Sequence, residues 1–202
     1  MNRRKEYSQK NFDRQAPDYD ISSYGAHARK LYPLLLRQLG EIPHDSVLDV
    51  GCGTGAMLER IAECWPGGDY AGVDLSPAMV LAAQEKLGSR AHIQPGDAEA
   101  LPFPDRRFQS VLCCDSFHHY PDPQAALKEI HRVLEPGGVF LLADTTAPAV
   151  IRGMVNLLLP FGHSGDVRLY APQEISELLS LYFHGAECRR AGSTSLLAWG
   201  IK

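Results

Sequence analysis

Val47-Leu48-Asp49-Val50-Gly51-Cys52-Gly53-Thr54-Gly55 is the stretch whose reading decides the fold. A short apolar run ends in an acid, and three glycines then alternate with small residues. Met57, Leu58, Ile61 and Ala62 follow at helical spacing on one face. Strand, glycine loop and helix in that order make a cradle for a nucleotide-type cofactor. Glycines let backbone approach a ligand where a Cβ would clash. The helix N-terminus adds unpaired N–H groups and the positive end of a dipole.

Outward from the loop, strand-like and helix-like segments alternate. The spacing predicts strands at 46–50, 69–74, 91–94, 108–114 and 138–144, and helices at 26–39, 55–65, 76–87, 122–134 and 173–181. Ser76-Pro77 reads as an N-cap followed by proline in the first turn, and Gly88 suits that helix's C-terminus. Pro136-Gly137-Gly138 marks a turn into the fifth strand. Segments 182–190 and 195–201 read as two further strands joined by Ala191-Gly192-Ser193-Thr194, a terminal antiparallel hairpin. The expected fold is therefore α/β, a Rossmann-like doubly wound sheet of seven strands, mostly parallel, with a C-terminal antiparallel hairpin. One domain over 1–202 suits this length. Residues 1–40 are expected to form an N-terminal lid and helix. Residues 145–172, apolar from Met154 to Phe161 and then flexible from Gly162, are expected to form a substrate-side lid insertion.

Composition narrows the function classes. The net charge is −4, and the basic residues Arg3, Arg4, Lys5, Lys10 and Arg14 cluster at one end, where a solvated, partly mobile segment is expected. Nothing in the global charge points to nucleic acid. No apolar run approaches the ~20 residues that span a bilayer. The five cysteines show no Cys-x-x-Cys spacing and read as reduced, mostly buried thiols of a cytoplasmic protein.

Three acids, Asp49, Asp74 and Asp97, fall at the ends of consecutive predicted strands, where ligands bind in doubly wound sheets. Gly51-x-Gly53-x-x-Ala56 with Asp74 about 20 residues on also fits a dinucleotide fingerprint, which keeps an NAD(P)-dependent oxidoreductase open. Asp49 speaks against it, because a carboxylate two residues before the loop suits an ammonium group and gains nothing from a pyrophosphate.

With these motifs in order, the chain resembles the class I S-adenosylmethionine-dependent methyltransferases. It is most similar to their small-molecule group of ubiquinone- and menaquinone-biosynthesis C-methyltransferases (methyltransferase type 11). The resemblance rests on Phe12-Asp13-Arg14-Gln15-Ala16-Pro17-Asp18-Tyr19-Asp20, the glycine loop, Gly72-Val73-Asp74-Leu75-Ser76, Gly96-Asp97-Ala98 through Pro102-Phe103, residues 108–121, and Glu129 through Gly138. It implies S-adenosyl-L-methionine as cofactor and S-adenosyl-L-homocysteine as product. It also implies roles. Asp49, Gly51, Cys52, Gly53 and Gly55 would hold the methionine end, and Tyr19 would close over it. Asp74 would accept both ribose hydroxyls. Asp97 and Ala98 would meet the adenine amino edge, and Leu75, Met79 and Phe103 would flank the ring.

Methyl transfer from a sulfonium is an in-line displacement, in which the protein positions the nucleophile and excludes water. Asp115, His118 and His119 follow the fourth strand, where this architecture presents the methyl group. They are the candidate catalytic residues, with either histidine able to take a proton near neutral pH. Asp144 and His163 are further candidates. Adjacent histidines on a regular element point apart, so no metal is expected. Asp115-Ser116-Phe117-His118-His119-Tyr120 replaces the Asn/Asp-Pro-Pro-aromatic run of enzymes acting on amino groups of bases or glutamine, which argues against nucleobase acceptors. Residues 145–172 are shorter and less aromatic than the corresponding stretch of quinone enzymes. The expected partner is a small-molecule acceptor, for a monomer or homodimer with no membrane span. A non-catalytic S-adenosylmethionine-binding protein is the remaining alternative.

Overall fold

A computed structural model describes residues 2–202. Seven strands form one sheet: β1 (Ser46–Val50), β2 (Asp69–Asp74), β3 (His92–Pro95), β4 (Phe108–Cys114), β5 (Leu134–Thr145), β6 (His184–Arg190) and β7 (Ser195–Ile201), in spatial order β3-β2-β1-β4-β5-β7-β6. The first five run parallel. β7 inserts antiparallel between β5 and β6, as the terminal hairpin requires. The chain leaves β1 in one direction toward β2 and returns on the other side at β4. The order therefore reverses at the β1/β4 boundary, the switch point where ligands bind.

Two-residue alternation in the strands builds a core on each face. Val47, Leu112 and Leu141 face α2 (Ala26–Leu39), α3 (Ala56–Cys64) and α4 (Pro77–Leu87). Their neighbours Leu48, Val111 and Phe140 face α5 (Pro123–Val133) and α7 (Pro172–Ser180). Leu31, Leu35 and Leu39 on α2 are fully buried, each contributing about 1.5–3 kcal/mol by leaving water. Ser76 caps α4 by accepting from Met79 N at 3.2 Å, and Asp122 caps α5 through Ala125 N at 2.9 Å.

Expected boundaries shift by one or two residues, except that β5 begins at Leu134 rather than 138. Its first residues pair with β4 across an irregularity, with Gly137 at φ 81° providing the bend. Two helices depart further from the sequence expectation. Residues expected as a solvated, partly mobile end form α1 (Arg3–Gln15). Asn2 caps it at Arg4 N, Glu6 and Arg14 complement its dipole, and side chains from its length anchor on the strand ends described below. Within 145–172 lies α6 (Ala149–Leu158), followed by a tight turn at Leu159–Phe161, and none of its residues is buried.

Candidate active site

The carboxyl ends of β1, β2 and β4 open into a cleft of about 920 Å³, counting the space at its mouth that is open to solvent, roofed by α1. Its floor is the glycine loop. Gly51, Gly53 and Gly55 all have positive φ, and a Cβ on Gly51 would sit 2.4 Å from Ser116 Oγ. Asp74, at the end of β2, steadies this loop: one carboxylate oxygen accepts from Gly53 N at 2.8 Å and the other from Ser76 N at 2.8 Å. Each keeps accepting capacity toward the cleft. Burial raises the Asp74 pKa, against the opposing backbone donors.

Asp49 is buried at the end of β1 and lines the cleft, and its Oδ1 has no hydrogen-bond partner. Burial first, and then the Asp74 charge, lift its pKa to about 7. Tyr19, Gly51, Cys52, Gly53, Leu75, Met79, Asp97, Ala98, Asp115 and His119 also line the cleft, so most of the residues singled out in the sequence come together. Gly55 stands apart. It precedes α3 in a left-handed conformation, where a Cβ would come 2.8 Å from Leu87 Cδ1, so its service is to helix packing. Phe103 turns into the core and packs edge-on against Phe108 at 5.3 Å, away from any ring in the cleft. Asp97 is engaged: Lys5 Nζ lies 2.6 Å from its Oδ2 and 2.5 Å from Glu99 Oε2, pinning α1 across the cleft. Asp13 and Asp20 pin the N-terminal segment too. Asp13 Oδ1 accepts from Ser76 Oγ at 2.6 Å, and Asp20 pairs with Lys86 and accepts from Thr54 Oγ1 at 2.6 Å.

The segment after β4 is a turn, Phe117–His119, that brings the two histidine rings together, centroids 4.0 Å apart and planes tilted by 41°. They do not diverge as adjacent residues on a regular element would, and both approach Asp166, His119 Nδ1 at 3.2 Å and His118 Nε2 at 3.7 Å. Their environments differ. His118 is buried behind the cleft, with its Nδ1 2.5 Å from Asp144 Oδ1 and its backbone N donating to Asp144 Oδ2 at 3.0 Å. Burial alone would lower its pKa, but the Asp144 carboxylate overrides that and holds it near 9. His119 lines the cleft, its Nδ1 faces Asp166 without making a hydrogen bond, and Phe12 packs edge-on against its ring. Burial and then the charge on His118 push its pKa down to about 3. The sequence expectation that either ring takes a proton near neutral pH is thus corrected: His118 already carries one and does not reach the cleft, and His119 is held neutral.

Asp115 has φ 53°, a strained conformation for a non-glycine residue, and its Oδ1 lies 2.8 Å from His27 Nδ1. His27 Nε2 in turn meets Ser195 Oγ at 3.0 Å. The hydrogen bond to Asp115 raises the His27 pKa. Burial works against ionised Asp115, but the hydrogen bond to His27 and the charge on His118 keep its pKa low. Asp144 reaches the site only through His118, and His163 packs edge-on against Tyr7 outside it. His27, Lys5 and Phe12 were missed. His27 stands alone between two alanines and carries no motif, whereas Lys5 lay in a basic cluster whose simplest meaning was solvation.

The Methyltransferase domain family model matches residues 48–142. A demethylmenaquinone methyltransferase of Thermus thermophilus is 32% identical over 81% of this chain and 82% of its own length. One of Symbiobacterium thermophilum is 31% identical over 72% of this chain and 61% of its own. A solved S-adenosylmethionine-dependent methyltransferase of Thermotoga maritima superposes with TM-score 0.76 at 18% identity, over 96% of this chain and 99% of that one. Glycine loop, strand-end acids and switch-point cleft agree with these matches, and the chain belongs to the S-adenosylmethionine-dependent methyltransferase family.

Proposed function

We propose that this methyltransferase holds S-adenosyl-L-methionine in the β1/β2/β4 cleft and methylates a partly apolar small molecule. The observation that carries this is Asp49: a buried carboxylate with a free oxygen beside a glycine loop is a site waiting for a cationic partner. The cofactor's ammonium fits it, and a dinucleotide pyrophosphate would be repelled, which leaves the oxidoreductase alternative without support. Gly51, Cys52 and Gly53 would lie along the methionine end, Asp74 would take the ribose hydroxyls, and Leu75, Met79 and Ala98 would face the base. Asp97 would reach the adenine amino group beside its pairing with Lys5. Tyr19 and α1 would close the cleft, and residues 145–172, through Asp166, would wall the acceptor side.

When bound, the cofactor supplies an activated methyl group on a sulfonium. The chain's part is then orientation and dryness. His119, neutral at the cleft wall, would accept a hydrogen bond from the acceptor's hydroxyl and aim its oxygen or the adjoining carbon. Taking the proton outright is disfavoured while His118 beside it is charged. Ionised Asp115, braced by His27, would orient the same hydroxyl or the cofactor's ammonium. The relatives' names make demethylmenaquinone the first acceptor to try.

Calorimetric titration with S-adenosylhomocysteine tests the reading, with NAD as control. The expected result is binding of the former alone, weakened at least tenfold by Asp49→Ala. Because only ionised Asp49 attracts the ammonium, affinity should also fall as the pH drops below about 7. Binding of NAD alone, or undiminished affinity in Asp49→Ala, would overturn it.

A further inference from the structure

α6 has its polarity reversed. In a water-soluble helix the apolar stripe faces the protein. Here Asn156 faces inward, donating from Nδ2 to Leu169 O at 2.9 Å and accepting from Leu169 N at 2.8 Å. Val150, Met154, Leu157, Leu158 and, beyond the helix, Phe161 fall at helical spacing on the outer side, each between 62% and 79% exposed. A contiguous apolar face of this kind calls for an apolar partner.

Charge identifies the partner. The chain as a whole is net −4, yet no Asp or Glu occurs in residues 145–165; Arg152 sits on the inner side with Asn156 and donates to Ala147 O at 2.9 Å, so the positive charge of this surface comes from α1. The return from α6 packs against α1: Arg4 Nη1 donates to Gly162 O at 3.3 Å and Asn11 Nδ2 to His163 O at 2.7 Å, and the Gly165 backbone lies against Ser8. This joins Arg3, Arg4, Lys10 and Arg14 to the same surface. Their neighbours Lys5 and Asp13 turn away to the cleft. Apolar side chains rimmed by basic ones are the signature of a surface that lies in the interface of an anionic bilayer. A nucleic acid would not call for the apolar face, and in a two-fold pair of copies the patch would meet itself, setting one basic rim against the other.

We infer that the outer face of α6 and the Leu159–Phe161 turn, with the basic side of α1, docks on an anionic phospholipid surface. Docking there brings the bilayer close to the cleft, since α1 roofs the cleft and Asp166, just beyond the turn, meets His119 within it. That the cleft then draws its acceptor from the bilayer rests on the proposed function; the docking itself does not.

Co-sedimentation of the full chain with vesicles tests this. The wild type should pellet with vesicles of equal parts phosphatidylglycerol and phosphatidylcholine, more weakly in high salt, and not with phosphatidylcholine alone. L157D/F161D should partition at least tenfold more weakly, while its circular dichroism and its S-adenosylhomocysteine affinity stay unchanged. Equal partitioning of the wild type and L157D/F161D would overturn the inference, as would failure of the wild type to pellet with anionic vesicles. So would a wild-type dimer in size-exclusion chromatography that L157D/F161D dissolves, which would mean a second copy covers the face. Vesicle binding without S-adenosylhomocysteine binding would leave the docking intact and remove the proposed function instead.

Discussion

Asp49 Oδ1 and His119 Nδ1 are the two buried side-chain atoms without a hydrogen bond among the described residues, and both residues line the cleft, but His119 Nδ1 faces Asp166 Oδ1 at 3.2 Å, which leaves the Asp49 oxygen as the atom open to a ligand. An unmet buried polar group costs about 1–3 kcal/mol, so a protein keeps such groups where a ligand completes them. Asp49 was legible in the sequence because it breaks an apolar run immediately before the glycines. His119 was legible only as half of a pair. Its separation from His118 depends on Asp144, 26 residues further along the chain and one strand away, which claims one ring and leaves the other in the cleft. With demethylmenaquinone or another acceptor in hand, His119→Ala should lower kcat roughly tenfold to a hundredfold, the scale of lost alignment. The wild-type rate should show no acid limb from His119 between pH 5 and 8, because its pKa lies near 3. A limb near 6.5 that vanishes in His119→Ala would identify it instead as the proton acceptor.

At the scale of elements, α1 is the part that the sequence left open. It is polar along nearly all of its length, so neither periodicity nor propensity singled it out, and an isolated helix of 13 residues is marginal in water. Tertiary anchors hold it: Lys5 on Asp97 and Glu99, and Asp13 on Ser76 and Ala78. Lys5→Ala should therefore speed hydrogen exchange across residues 3–15 at least tenfold while leaving exchange in β1 and β4 unchanged. Exchange no faster than in the wild type would mean that the Asp13 contacts suffice. The glycine loop is the opposite case. Its conformation is set by residues 51–55 themselves, and the sequence marks it as plainly as the structure does.

Across the whole molecule, the buried His118–Asp144 pair ties the segment after β4 to the end of β5. Because the folded pKa of His118 stands near 9, above its ordinary 6.5, the pair's stabilisation is complete below pH 6.5 and is lost as pH rises through 9. Thermal melting should show a falling Tm between pH 7 and 9.5. Asp144→Asn should flatten that slope and lower Tm by roughly ten degrees at pH 6.5, since breaking one side of a buried pair costs about 3–5 kcal/mol. A slope unchanged in Asp144→Asn would assign the alkaline loss to another group. The sequence by itself determined the alternation of strands and helices, the cofactor loop and the strand-end acids, because each is written in contiguous residues whose spacing matches a local geometry. Only the tertiary structure decided which histidine reaches the cleft, that His27 braces Asp115, that Lys5 closes α1 over Asp97, and that α6 turns its apolar side outward. Each of these depends on partners far apart in the chain, and burial and charge at such sites arise only when the sheet brings them together.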